Sequence, residues 1–210
     1  FAYEDTPLPI EADQTISQPY IVALMAEALE LTSEDCVLEV GAGSGYAAAV
    51  LGRIAGEVWA IERHQVLADQ AARRMERLGF SNVHVVQGDG TLGLPERAPF
   101  DAIVVAAGGP DVPPALVDQL APGGRLVIPV GPDPRLQELV LLRKDDRGGE
   151  DPMPEGGGLA LEADGDREAD HQDERRAENG IEHHGHLDSS ARALATISAM
   201  RTNCRIAAWR

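Results

Sequence analysis

Several residue types that would announce a particular class of protein are scarce here. There are only two cysteines, Cys36 and Cys204, in 210 residues. Their positions give no metal-ligand spacing and no disulfide framework, which points to a reducing cytoplasm. Positive charge is in deficit: 18 Lys and Arg stand against 35 Asp and Glu, a formal net charge of −17. A chain this acidic is a poor candidate for tracking nucleic-acid phosphates. No apolar run is long enough to span a membrane. No secretory signal is visible and no internal repeat is found, and the chain begins at Phe1 rather than Met, which suggests a fragment or a processed form.

The acidity is unevenly spread. Residues 144–190 carry 15 acids and 5 basic residues, whereas the last 20 residues carry four arginines and no acid. The surface acids read as ordinary solvated groups. The composition divides the chain into an ordered region, residues 1–143, an acidic and glycine-rich segment, 144–190, expected to be disordered, and a weakly helical or disordered tail, 191–210.

The informative stretch is VLEVGAGSGY, Val37 to Tyr46. Val37–Val40 reads as a buried strand with one acid, Glu39, inside it. Gly41, Gly43 and Gly45 follow, and a helix is expected from Tyr46 to Ile54, with Tyr46, Val50 and Ile54 on one face. A strand that turns through glycines into a helix lets a ligand approach bare backbone, and the helix start offers N–H groups. The spacing is G-x-G-x-G. A dinucleotide fingerprint, G-x-G-x-x-G, would need its third glycine at Tyr46.

Other elements fall into place around it. Phe1–Ile10 reads as an extended lead-in. Ile21, Leu24, Met25, Ala28 and Leu31 recur at helical spacing, with Ser17 at the N-cap position and Pro19 in the first turn. Strands are expected at Val58–Ile61, Val83–Val86, Asp101–Ala106, Leu126–Val130 and Leu136–Leu142. Helices are expected around Leu67–Leu78, closed by Gly79, and over Pro113–Leu120, with a turn at Pro122–Gly124. Strands alternating with helices predict an α/β fold with a mostly parallel sheet and helices on both faces. In such sheets ligands bind at the carboxyl ends of the strands. Three acids stand there: Glu39 in the first strand, Glu62 ending the second, and Asp89 after the third. The G-x-G-x-G loop, with Glu39 two residues before it, resembles the S-adenosylmethionine loop of Rossmann-like methyltransferases. That resemblance implies that Glu62 accepts from ribose hydroxyls, that Asp89 accepts from an adenine amino group or orients the loop that does, and that Glu39 lies close to where a methionine ammonium would rest. Each has a plainer reading as a loop cap or surface acid.

The segments AYEDTPLPI (2–10), QTISQPYIVALM (14–25), LEVGAGSGYAAAVL (38–51), GDGTLG (88–93), and APFDAIVVAA with VPPALVDQLAPGGRLVIPVG between residues 98 and 131 together resemble the protein-L-isoaspartate O-methyltransferase family. The resemblance runs from residue 2 to about 143. It implies a Rossmann-like methyltransferase fold, S-adenosylmethionine as methyl donor, and an isoaspartyl protein or peptide as acceptor, with no nucleic-acid or membrane partner and a monomeric, cytoplasmic enzyme. It implies Ser17 as the active-site serine. It also implies cofactor contacts from Thr15, Ile16 and Gln18, from Glu39, from the loop Gly41, Ala42, Gly43, Ser44 and Gly45, and from Glu62, Asp89 and Gly90. The acceptor carboxylate is ionised at neutral pH and needs no general base. Alignment and exclusion of water are what the protein must supply. Ser17 read without the resemblance is a helix cap.

Two alternatives stand beside a repair methyltransferase: a domain that binds S-adenosylmethionine without turning over, and a nicotinamide-dependent oxidoreductase, against which Tyr46 argues. The ends depart from the family. Its helical segment before AYED is absent, and no family strand is recognisable after Arg143, which predicts an uncovered sheet edge and a chain prone to aggregation. A shifted reading frame near codons 143–150 accounts for so abrupt a change, and residues 144–190 are then expected to be mobile and protease-sensitive. His183, His184 and His186, with His171 nearby, read as a solvated tail rather than a metal site. His64 and His84 read as surface or packing residues.

Overall fold

The structure, a computed structural model, describes residues 4–133 and 136–145 together with the short segments 150–151 and 159–160. A two-stranded hairpin comes first: β1 (Leu8–Pro9) pairs antiparallel with β2 (Thr15–Ile16). Helix α1 (Pro19–Ala28) follows, then β3 (Cys36–Val40), α2 (Tyr46–Leu51), β4 (Glu57–Glu62), α3 (Gln65–Leu78) and β5 (Val83–Gln87). Next come β6 (Phe100–Val105), α4 (Pro114–Asp118), β7 (Leu120–Asp133), β8 (Leu136–Lys144), β9 (Glu150–Asp151) and β10 (Leu159–Ala160). Single 3-10 turns lie at Gly90–Leu92 and Pro95–Arg97.

The main sheet has the order β10-β8-β7-β6-β3-β4-β5, with β9 also on β8. From β5 across to β7 every neighbouring pair is parallel, and β8 returns antiparallel to β7. The strand order reverses at β3, whose neighbours are β4 and β6. That reversal opens a crevice at the carboxyl end of β3, where the glycine loop stands.

The alternation of side chains along each strand fills both faces. Val37, Val58, Ala60, Ala102 and Val127 pack with Leu24, Met25, Leu29, Ala48, Leu51 and Met75 from α1, α2 and α3. Leu38, Val40, Ile61, Ile103, Leu126 and Ile128 pack on the other face with Phe100 and with Leu116 of α4. Burying each such side chain contributes about 1.5–3 kcal/mol. Glu39 has the parity of Val37, so the pleat aims it at the α1–α2 face.

Several expectations are corrected. The α1 cap position is Gln18, not Ser17, and Gln18 makes no side-chain cap bond. Asp5 takes that role from outside the helix: its Oδ1 accepts the Tyr20 N–H at 2.9 Å. Helix α1 stops at Ala28 rather than running to Leu31, because Glu30 turns to φ 49°. Helix α2 ends at Leu51, and Arg53 and Ile54 continue in single turns. The expected turn at Pro122–Gly124 lies within β7, which takes the irregularity as a register shift opposite Phe100 and Ala102. Strand β8 extends to Lys144, whose Nζ donates to the carbonyls of Val117, Asp118 and Leu120 at 3.1, 3.3 and 2.8 Å, closing the end of α4. The outer edge of β8, expected to be unpaired, is met by β9 (Arg143 opposite Asp151) and β10 (Leu159 opposite Leu139). The rest of the acidic segment, the tail, Cys204 and the histidines at 171, 183, 184 and 186 lie outside the described residues. Among the described residues no group of three or more His, Cys, Asp or Glu side chains is placed to hold a metal ion, and no helix is long and apolar enough to cross a membrane.

Candidate active site

A cavity of about 520 Å³ opens at the crevice beside β3. That size suits a small-molecule site. Of the residues expected there, Thr15, Ile16, Ser17, Glu39, Gly41, Ala42, Gly43, Ser44, Glu62, Asp89 and Gly90 all line it. Gln18 and Gly45 do not. Gln18 turns away, donating Nε2 to the Asp5 carbonyl at 3.3 Å. Gly45 serves packing: at φ 80° it starts α2, and a Cβ there would come within 3.1 Å of Met75 Cε and 3.2 Å of Ala71 Cβ.

The glycine loop is tied down by its own backbone. The N–H groups of Gly41 and Ala42 donate to the Ile61 carbonyl at 2.9 and 3.1 Å, and Gly45 N–H donates to the Ala42 carbonyl at 2.7 Å. Gly43 N–H donates to Glu62 Oε2 at 2.8 Å, and Tyr46 N–H to Ser44 Oγ at 3.3 Å. The free N–H groups expected at this turn are therefore occupied at these five positions. A dinucleotide pyrophosphate is held by such groups, and this loop is built differently. What it presents is shape. Gly43 has φ 51°, and a Cβ on it would sit 3.3 Å from Ile10 Cδ1 of the hairpin, so a side chain here would be strained and would press on the hairpin wall.

Two carboxylates lie side by side under this loop with different surroundings. Glu62 is 6% exposed, and both of its oxygens accept backbone N–H groups: Oε2 from Gly43, and Oε1 from His64 at 2.9 Å. Glu62 thus has a fixed direction and keeps spare lone pairs for a hydroxyl-bearing ligand. Glu39 is 1% exposed, and neither oxygen has a hydrogen-bond partner among the described residues. Its pKa is raised well above the ordinary carboxylate value, first by burial and then by the negative charge of Glu62. An unpartnered buried carboxylate is costly, and its position in the cavity wall fits a cationic ligand group. Asp89 shapes the far rim. Its Oδ1 accepts from Thr91 N–H at 3.0 Å and from Thr91 Oγ1 at 2.8 Å, and these bonds hold its pKa down. In this arrangement Asp89 orients the turn Gly90–Leu92.

Ser17 lies between β2 and α1 and faces the cavity. Since Gln18 holds the cap position and Asp5 takes the Tyr20 N–H, Ser17 is not placed there as a helix cap. Asp5 also occupies a backbone donor at the start of α1.

Sequence reasoning missed the opposite rim, where Ala106, Ala107, Gly108, Gly109, Asp111 and Pro113 line the cavity after β6. The topology gives a signal for it: the end of β6, beside β3, is the other lip of the crevice. Arg63, Thr91 and His64 were also not placed there, and His64, read as a surface or packing residue, lines the cavity.

The family model for protein-L-isoaspartate(D-aspartate) O-methyltransferase (PCMT) matches residues 1–151. Protein-L-isoaspartate O-methyltransferase 2 of Pelobacter propionicus is 63% identical over 143 residues, which cover 68% of this chain and 64% of that protein. Protein-L-isoaspartate O-methyltransferase 1 of Geotalea uraniireducens is 62% identical over 143 residues, 68% of this chain and 65% of that one. The chain thus spans a little under two thirds of the length of these curated relatives. Among solved structures, a protein-L-isoaspartate O-methyltransferase superposes with a TM-score of 0.64 at 35% identity, covering 78% of this chain and 54% of the other. A putative protein-L-isoaspartate O-methyltransferase from Plasmodium falciparum, solved with S-adenosyl-L-homocysteine, superposes with a TM-score of 0.58 at 26% identity, over 72% of this chain and 77% of that chain. The α/β fold is that of the S-adenosylmethionine-dependent methyltransferases, and the chain belongs to the protein-L-isoaspartate(D-aspartate) O-methyltransferase family.

Proposed function

We propose that this protein is a repair methyltransferase that uses S-adenosylmethionine to methylate the carboxylate of L-isoaspartyl residues in proteins and peptides. The observation that carries the reading is Glu39, a buried carboxylate with both oxygens unpartnered among the described residues, in the wall of a cavity whose other wall is the TIS segment. Such a group calls for a positively charged ligand. S-adenosylmethionine, when bound, supplies a methyl group already activated on a sulfonium, and it carries an ammonium as well. A nicotinamide dinucleotide would bring phosphates, and the occupied N–H groups of Gly41, Ala42, Gly43, Gly45 and Tyr46 do not favour them.

The residues divide the work by their surroundings. Burial and Glu62 favour the protonated form of Glu39 without ligand, and a cationic ligand favours its ionised form. Glu39 therefore releases its proton on binding and then balances the ligand's charge. Glu62, oriented by Gly43 and His64, accepts from hydroxyls. Gly43 keeps the cavity narrow without a side chain. Ser17 donates a hydrogen bond to the acceptor carboxylate and fixes its direction. A charge-assisted bond of this kind is shorter and stronger than a neutral one. No side chain has to remove a proton, because the acceptor is ionised at neutral pH.

The substrate is an isoaspartyl protein or peptide, and the enzyme acts as a monomer in the cytoplasm. The free thiol of Cys36 is in keeping with a reducing compartment. The test is methyl transfer to an isoaspartyl peptide beside its aspartyl isomer. Transfer to the isoaspartyl peptide alone is the expected result. Binding of S-adenosylmethionine with no transfer to either would replace this reading with that of a binding domain.

A further inference from the structure

Arg74 stands on α3, outside the residues that line the cavity, yet it contacts one wall and lies one turn from Gln70, which contacts the hairpin of the other. Its guanidinium donates to the carbonyl of Ser44, in the middle of the glycine loop. On the same flank the tip of the β1–β2 hairpin reaches across. Gln70, one helical turn before Arg74, donates Nε2 to Glu11 Oε1 at 3.3 Å. The Glu11 carboxylate also acts electrostatically on Arg74. The neighbouring Ile10 places its Cδ1 against Gly43. The hairpin tip itself is strained: Ala12 and Asp13 hold φ angles of 58° and 53°. A non-glycine residue persists in this region only where its surroundings hold it there. The strand β2 that leaves this tip delivers Thr15 and Ile16, and then Ser17, to the cavity.

We propose that Arg74 is a positioning residue that helps α3 tie the two walls of the cavity together, gripping the Ser44 carbonyl on the glycine loop one turn after Gln70 holds the Glu11 carboxylate on the hairpin tip. Burial and the nearby Arg77 disfavour the charge on Arg74, and Glu11 favours it. A guanidinium remains charged across the working pH range. Its planar fork suits two partners on different sides, which a single ammonium does not. Arg74 touches neither reacting group. It acts through the loop and the hairpin, and its consequence for the reaction rests on the reading of the cavity as a methyltransferase site.

The experiment combines two readouts on the full chain and on Arg74→Ala, Arg74→Lys, Glu11→Gln and the double variant. Hydrogen exchange, measured without ligand, follows the amides of Ile10 and Gln14, which bond to the carbonyls of Gln14 and Glu11 at 2.8 and 3.3 Å within the hairpin. Titration with S-adenosylhomocysteine follows the cavity. Arg74→Ala is expected to speed exchange at both amides by about tenfold or more, the effect of losing a hydrogen bond from a charged group, and to weaken the ligand by a similar factor. Arg74→Lys recovers part of both. Glu11→Gln adds nothing once Arg74 is gone, the signature of a shared contact. Unchanged exchange at Ile10 and Gln14 in Arg74→Ala overturns the proposal. So does faster exchange spread evenly over β3 and β6 with no recovery by lysine, because that marks a role in general stability. A wild-type chain that binds no S-adenosylhomocysteine refutes the methyltransferase reading alone, and the exchange result still decides the role of Arg74.

Discussion

The two walls of the cavity are built on opposite plans. In the glycine-loop wall the chain's own N–H groups do most of the holding: five of them from Gly41 to Tyr46 bond to carbonyls of the loop and of β4 or to the Glu62 and Ser44 side chains. The hairpin wall is held by side chains reaching across the chain, Asp5 to Tyr20, Gln70 to Glu11 and Ile10 to Gly43, around a tip with two positive-φ residues. Backbone bonds inside a sheet corner open only when the sheet opens, whereas side-chain bonds at an exposed hairpin open locally. This contrast predicts that the hairpin wall, which carries Ser17, opens more readily than the glycine-loop wall.

The largest expected effect breaks the line where the walls meet. Gly43→Val forces a branched side chain into φ 51° and against Ile10 Cδ1. The left-handed backbone costs roughly 1–2 kcal/mol for such a residue, before any clash. Calorimetry should find no S-adenosylmethionine binding, and normal affinity in this variant would remove the cavity from consideration.

Glu39→Gln is expected next, and its effects on ligand and on stability have opposite signs. Losing a charged partner weakens S-adenosylmethionine by about 1.5–3 kcal/mol, read by titration. Without ligand the variant is the more stable protein at neutral pH. The Glu39 pKa is raised in the fold by burial and by Glu62. As pH climbs past the unfolded value of about 4.3, the unfolded chain ionises while the folded chain keeps its proton, so stability falls until the folded pKa is reached. The stability advantage of Glu39→Gln should therefore vanish on acidification below that value. A denaturant series at several pH values checks it. A variant less stable than wild type at neutral pH would mean that Glu39 has a partner in solution.

How much of this was legible before the fold differs between the same two walls. The glycine-loop wall is written in neighbouring residues. Short apolar runs give β3 and β4, closely spaced glycines give the turn, and the strands place Glu39 inside one and Glu62 at the end of the other. All are local signals, and the elements stand where they were expected. The hairpin wall was legible only through resemblance. Nothing in the spacing says that Asp5 reaches Tyr20, so the cap was assigned to Ser17, the nearest residue of suitable chemistry. That Glu62 folds back onto Gly43 and His64 depends on two strands lying in register, a tertiary fact. The same holds at the far edge, where Lys144 closes α4 from another strand and β9 and β10 meet β8 without any apolar alternation to announce them.

Ser17→Ala tests the hairpin wall. The expected result is a fall in turnover of about tenfold or more, the loss of one hydrogen bond to a charged acceptor, with S-adenosylmethionine affinity and melting temperature close to wild type. Because Gln18 holds the cap position and makes no side-chain cap bond, no loss of helix stability should accompany it. A lowered melting temperature with full turnover would restore Ser17 as a structural residue and leave the acceptor without a donor.

The smallest effect concerns Asp5, and it sharpens the comparison because it separates the helix from the hairpin. Asp5 accepts from the Tyr20 N–H at the first turn of α1 at 2.9 Å, and its carbonyl accepts from Gln18 Nε2 at 3.3 Å. It therefore pins the chain before β1 to the helix that follows β2. A lost cap of this kind costs about 1 kcal/mol. Asp5→Ala should show that loss in denaturant unfolding with no change in slope. Asp5→Asn keeps an acceptor oxygen and should recover most of it, which distinguishes capping from a simple charge effect. Turnover should fall by less than in Ser17→Ala, since Glu11 and Ile10 still hold the hairpin. If Asp5→Ala lowers turnover as far as Ser17→Ala while stability is unchanged, the anchor works on the reaction rather than on the helix, and the side-chain-held wall is less independent of α1 than its contacts indicate.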